Sequence, residues 1–191
     1  MKVRAGLLFF VAALAISCKQ GTIQTEKILD FRGMINQQVD QLNSQHRHLT
    51  KSASLDQNLS DSTFVPTRGD WIRELEIFSE LDLINKPAYQ NAYALRDSID
   101  DPNSNLFIRQ YAAPGAPVPL IRLFYRDSVQ HLKRLEAVMQ ETNLLYSTER
   151  KLTLEFDEEF KQAVLSRYTI EGFEKMVGGD TIRFNIRGQI N

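Results

Sequence analysis

The chain has 191 residues, 23 of them Lys or Arg and 24 Asp or Glu, for a formal charge of −1 at pH 7. No long block of like charges interrupts that balance, which argues against nucleic-acid binding through phosphate neutralisation. A single cysteine, Cys18, rules out an internal disulfide and any multi-thiolate metal site.

The first segment is a targeting signal by its layout. Lys2 and Arg4 form a short positive end, residues 7–16 are an unbroken apolar run, and the small Ser17 precedes Cys18. A helix of about ten residues covers about 15 Å, half of the roughly 30 Å hydrocarbon core, so the run is too short to span a bilayer. The Ala15-Ile16-Ser17-Cys18 segment resembles the lipobox of bacterial lipoprotein precursors, with Ala15 where leucine is usual and Leu14 beside it. The resemblance implies that residues 1–17 are removed as a signal peptide. It further implies that the Cys18 thiol carries a diacylglyceryl group and that the new amino terminus is acylated. The partner implied is the membrane, through that lipid. Lys19 stands where an aspartate favours inner-membrane retention, so the resemblance points to the cell outer membrane, with the chain facing the periplasm.

Removing residues 1–17 leaves 174 residues and takes away Lys2 and Arg4, so that the charge becomes −3. That length suffices for one domain with a real core. Residues 18–24 are polar and read as the lipid tether. Residues 25–191 read as a single α+β domain, with N-terminal helices packed on one face of a C-terminal antiparallel meander.

Residues 25–50 are expected to be helical. Ile28, Ile35, Leu42 and Leu49 recur every seven residues, with Phe31, Met34 and Val39 beside them. Gln38 and Gln45 stand where a strict coiled coil wants its second apolar set. The stripe therefore suits a helix laid on its own domain, or one offered to a protein partner or a second copy. Glu26 suits the positive helix end, and Arg47 and Lys51 suit the other. His46 and His48 lie two residues apart, which on a helix turns them about 200° from each other and prevents a shared metal ion. With His131 distant in sequence, no metal site and no cofactor are expected.

Residues 51–66 are rich in Ser, Asp, Asn and Thr and read as a loop. Thr67 or Asp70 can cap a second helix over 67–84, with Trp71, Leu75, Phe78 and Leu81 on one face and Pro87 as its stop. Arg68-Gly69-Asp70 spells a cell-adhesion tripeptide, but Asp70 already has sufficient work at the helix start.

From residue 88 the pattern turns to strands, continuing to about residue 190. Alternation marks residues 106–111, 120–126, 152–156, 168–171 and 182–187, and Gly178-Gly179-Asp180 reads as a hairpin turn. The polar alternate positions suggest a sheet covered on one side only. Residues 129–139 fit both periods and are assigned to a strand. Residues 157–165 are assigned to a short helix capped by Asp157.

No nucleophile elbow, phosphate-binding glycine loop, zinc-binding His-Glu-x-x-His or Cys-x-x-Cys motif occurs. Glu155, Asp157, Glu158 and Glu159 form a local acidic cluster without the ligand spacing of a calcium loop. The expectation is a non-enzymatic cell-envelope lipoprotein, a structural or interaction module lipidated at Cys18, with residues 25–50 as a possible partner surface. The alternatives are a periplasm-facing carrier for an apolar ligand and, behind it, a hydrolase built on carboxylates from distant positions.

Overall fold

The computed structural model describes residues 28–191, apart from residue 57. The signal segment 1–17, Cys18, the tether 18–24 and the first expected helical residues 25–27 lie outside the described residues. Within them are two α-helices, α1 (Phe31–Ser44) and α2 (Arg68–Ser79). The strands are β1 (Leu49–Leu55), β2 (Asn58–Phe64), β3 (Ala94–Asp100), β4 (Phe107–Ala112), β5 (Leu120–Tyr125), β6 (Leu132–Thr142), β7 (Tyr146–Glu159), β8 (Gln162–Met176) and β9 (Thr181–Ile190). All belong to one antiparallel sheet of order β2-β1-β9-β8-β7-β6-β5-β4-β3.

Strands β3 to β9 are the expected meander. The β1–β2 hairpin is not expected, and it makes the chain richer in sheet than the α+β reading allows. It joins the last strand, with Leu49 opposite Ile190 and Leu55 opposite Phe184. Residues 51–66 are thus largely strand, not loop. Their Ser and Thr side chains conceal it, because β2 is an edge strand exposed along its whole length and needs no apolar alternation.

Helix α1 is shorter than residues 25–50. Asp30 caps it, accepting from the Gly33 N–H at 3.1 Å. His46 ends it in the left-handed region at φ 52°, while the Arg47 N–H returns to the Leu42 carbonyl at 3.2 Å. Leu49 continues the seven-residue recurrence only in sequence. It is fully buried as the first residue of β1.

Helix α2 begins as expected. Thr67 accepts from the Asp70 N–H, and Asp70 accepts in return from the Thr67 N–H at 2.9 Å. The helix tightens into a 3₁₀ segment, Glu80–Asn85, so the helical stretch reaches the expected end. The strand assignment for residues 129–139 holds over β6, after a 3₁₀ turn at Val129–His131. The helix expected over 157–165 is instead the tight β7–β8 hairpin. Phe160 and Lys161 form its turn at φ 49° and 64°. A turn of this kind ordinarily signals itself with Asn or Gly, and neither is present.

Helices and strands share one buried cluster. Phe31, Ile35, Val39 and Leu42 of α1 and Trp71, Leu75 and Phe78 of α2 meet Ile121, Leu123, Leu135, Leu152, Leu154 and Tyr168 of the sheet. Leu123, Leu135, Leu154, Tyr168, Gly188 and Lys51 are cross-strand partners in one row. The neighbouring row on the other face reads Arg122, Glu136, Thr153, Thr169, Arg187 and Ser52. That alternation is what a sheet covered on one side requires.

Candidate functional site

The apolar rows of the sheet do not all lie under the helices. Beyond Leu152 the same face of β7 carries Arg150 and then the buried Thr148. Arg150 is opposite Met139 of β6 and Gly172 of β8. These residues open onto a recess of ≈ 610 Å³, whose walls include Glu80 and Leu83 of the 3₁₀ segment, Ala116 and Pro117 of the β4–β5 loop, and Glu141 of β6.

The recess walls are held by backbone bonds. The Gln140 N–H donates to the Pro117 carbonyl at 2.8 Å, and the Ala113 N–H to the Pro119 carbonyl at 2.9 Å. Gly115 takes φ 87° between them, a turn conformation that a side chain would strain. The Tyr93 hydroxyl donates to the Val118 carbonyl at 2.7 Å, and burial pushes its phenol up to about 12. Thr148 donates to the Phe173 carbonyl at 3.0 Å. Tyr146 donates to Glu141, which raises the Tyr146 phenol and occupies that carboxylate.

Arg150 differs from the chain's other half-buried cations. Arg47, Lys51, Arg109 and Lys133 each have a carboxylate partner. Arg150 has no ion pair or hydrogen-bond partner among the described residues. A half-buried guanidinium beside Met139, Leu83 and Pro117 offers a fork of donors to an anionic group with an apolar neighbour. Strand periodicity could have found it, because counting back by two from Leu154 and Leu152 arrives at Arg150.

The groups singled out in the sequence do not converge. Cys18 lies outside the described residues. His46 ends α1, His48 pairs through its backbone with Asn191, and His131 stands 3.8 Å from Asp127 in the β5–β6 connection. Among the described residues no three His, Cys, Asp or Glu side chains are placed to hold a metal ion. The acidic cluster is parted among three cations: Glu155 pairs with Arg167, Glu158 with Lys133, and Glu159 with Arg47. The adhesion tripeptide is similarly engaged. Arg68 pairs with Asp40 at 2.9 Å, and Asp70 with Thr67 and Arg73. Hydrogen bonding to Thr67 holds the Asp70 carboxyl below the ordinary carboxylate range.

Comparison with family models, with curated proteins and with solved structures finds no match to this chain.

Proposed function

We propose that this chain is a lipid-anchored protein of the cell envelope, attached at Cys18 and acting as a non-enzymatic binding or interaction module at the membrane surface. The observation that carries the reading is the apolar run 7–16 ending at Ser17-Cys18, with Cys18 the chain's single thiol. Two or three acyl chains hold a protein durably, at about 0.8 kcal/mol for each buried methylene. The remaining chain supports this reading in kind. The apolar stripes of both helices are taken up in the buried cluster they share with the sheet, so attachment to a membrane falls first to the lipid on Cys18. The apolar stripe of α1 is spent inside this domain, so a protein partner meets other surfaces than that stripe. An outer-membrane, periplasm-facing location follows from Lys19 by the lipoprotein resemblance.

Mass spectrometry of the native amino-terminal peptide is the test. A diacylated or triacylated Cys18 at the mature start is expected, and a Cys18→Ala chain should lose its lipid and pass to the soluble fraction. An unmodified start elsewhere would overturn the reading.

A second reading, a carrier for an amphiphile, is favoured by the recess beside Arg150. The ligand class it suits has an anionic head and an apolar tail. Native mass spectrometry of the chain purified from its membrane should then show a bound lipid-sized mass that Arg150→Ala loses. A chain that is always empty would remove this reading.

A further inference from the structure

Antiparallel connections alternate between the two ends of a sheet. The β4–β5, β6–β7 and β8–β9 connections therefore lie at one end, and the β1–β2 turn joins them there, its Asp56 N–H bonded to the Arg183 carbonyl at 2.8 Å. Among the described residues, this end carries most of the large exposed apolar side chains. Leu144 is 93% exposed, Val177 76%, Leu145 74% and Met176 59%, with Ile182, Leu55 and Leu59 beside them. The tips touch one another, since the Val177 N–H donates to the Leu145 carbonyl at 2.9 Å. The opposite end turns through Asp101, Asn103, Ser104, Asp127 and Ser128; among the described residues Phe160 is fully exposed there, and Val65, Phe107 and Phe64 are each less than half exposed.

We propose that this rim of hairpin tips dips into the surface of the lipid bilayer. The proposal rests on the lipid-anchor reading for bringing the chain to a membrane, and it adds which end of the fold meets it. Three observations favour lipid over a protein partner.

The first is composition. The tips present Leu, Val, Met and Ile, whereas protein interfaces concentrate their binding energy in Trp, Tyr and Arg. Charge near the tips is of both signs, Lys175 and Arg183 against Asp56, Glu141, Glu174 and Asp180, with no excess of cations, so the contact is carried by aliphatic groups.

The second is backbone satisfaction. Unpaired backbone groups are costly in lipid. At the β6–β7 tip the Asn143 side chain accepts from the Leu145 and Tyr146 N–H groups at 2.8 and 3.0 Å, and the Asn143 N–H donates to the Tyr146 carbonyl. At the β8–β9 tip the Gly179 N–H donates to the Met176 carbonyl at 3.1 Å.

The third is where the chain enters. The Ile28 N–H is bonded to Asn85 Oδ1 at 2.9 Å, and Asn85 donates to the Leu29 carbonyl at 2.8 Å. Asn85 closes the same 3₁₀ segment whose Glu80 and Leu83 face the recess at the rim end. Nine residues lie between Cys18 and Ile28, so the two are at most about 35 Å apart. A lipid on Cys18 therefore keeps the Ile28 entry point, beside the segment that faces the recess, within that distance of the bilayer.

The test uses the full chain carrying Leu144→Cys, Val177→Cys or, at the opposite end, Asn103→Cys. Each is labelled with an environment-sensitive fluorophore and reconstituted into phosphatidylethanolamine–phosphatidylglycerol vesicles containing a spin-labelled lipid. Labels at 144 and 177 should shift to the blue, be quenched by the spin label and lose access to aqueous iodide. The label at 103 should do none of these. Labels at 144 and 177 as open to iodide as the label at 103 would overturn the proposal, and a shift seen only when another protein is added would do so equally. The anchor reading fails separately. An unmodified Cys18 in the mass spectrum refutes the anchor, while lipid quenching at 144 and 177 would still stand for the rim.

Discussion

Gln38 is a buried polar side chain in the apolar stripe of α1. Its amide donates to the Ala163 carbonyl at 2.9 Å and accepts from the Leu165 N–H at 2.7 Å. Strand β8 pairs with β9 only from Arg167 onward, so residues 163 and 165 have no strand on that side. One amide therefore stands in for the missing strand and pins α1 to the sheet. Gln38→Ala should cost about 1–3 kcal/mol by leaving two buried backbone groups unpaired, measured as a fall in the urea midpoint. Tyr168 makes the corresponding tie to α2. Its hydroxyl donates to Glu74 at 2.7 Å, Glu74 also holds Lys51, and burial drives the phenol far above its usual range. Its ring lies over Gly188, where an added Cβ would come within 2.1 Å of it. At the other end of the sheet, hydrogen bonds from Arg109 and then Tyr125 lower the Asp97 carboxyl from 3.8 to about 2. The folded value lies below the unfolded one, so the stabilisation is complete above 3.8 and is lost as pH falls through about 2. Asp97→Asn should therefore be less stable than the parent chain near neutrality. The two denaturation midpoints should converge in acid, and a gap that persists at the lowest pH would refute the assignment.

Elements with regular periods were readable and the odd turns were not. The stripe Trp71, Leu75, Phe78 identifies α2, and the capping pair Thr67 and Asp70 places its start. The β8–β9 hairpin was likewise visible, because Gly178 supplies the left-handed residue its turn needs. The β7–β8 turn places Phe160 and Lys161 in that region without help from Gly or Asn. Phe160→Asn with Lys161→Gly should stabilise the chain by about 1 kcal/mol or more, read from thermal or chemical unfolding, because each non-glycine residue held there costs on the order of 1–3 kcal/mol. No gain would mean that Phe160 and Lys161 are held by contacts beyond the turn itself.

For the whole molecule the sheet has a graded stability. Strands β6 to β9 are long and flanked on both sides, while β2 is an exposed edge seven residues long. Hydrogen exchange should be slowest at β7 and β8 and fastest at β2, with β1 between them. Equal protection across the sheet would show that the β1–β2 hairpin is as firmly part of the core as the meander. Leu49 is fully buried, so β1 should be anchored at that end and fray toward Leu55.

Local chemistry in the sequence determined the helical stripes, the meander strands and the expectation of a leader over residues 1–17 that ends just before Cys18. Each of these depends on residues close together in the chain, where side-chain period and turn chemistry act directly. Tertiary structure decided the rest. It set β1 against β9, made strands of a Ser- and Thr-rich stretch, and gave Gln38 a partner 125 residues away. It also left Arg150 unpaired in a recess and gathered apolar tips from separate hairpins at one end of the sheet. These features arise from backbone pairing between distant segments. A strand held by its neighbours' hydrogen bonds needs no pattern of its own, so there was none to read.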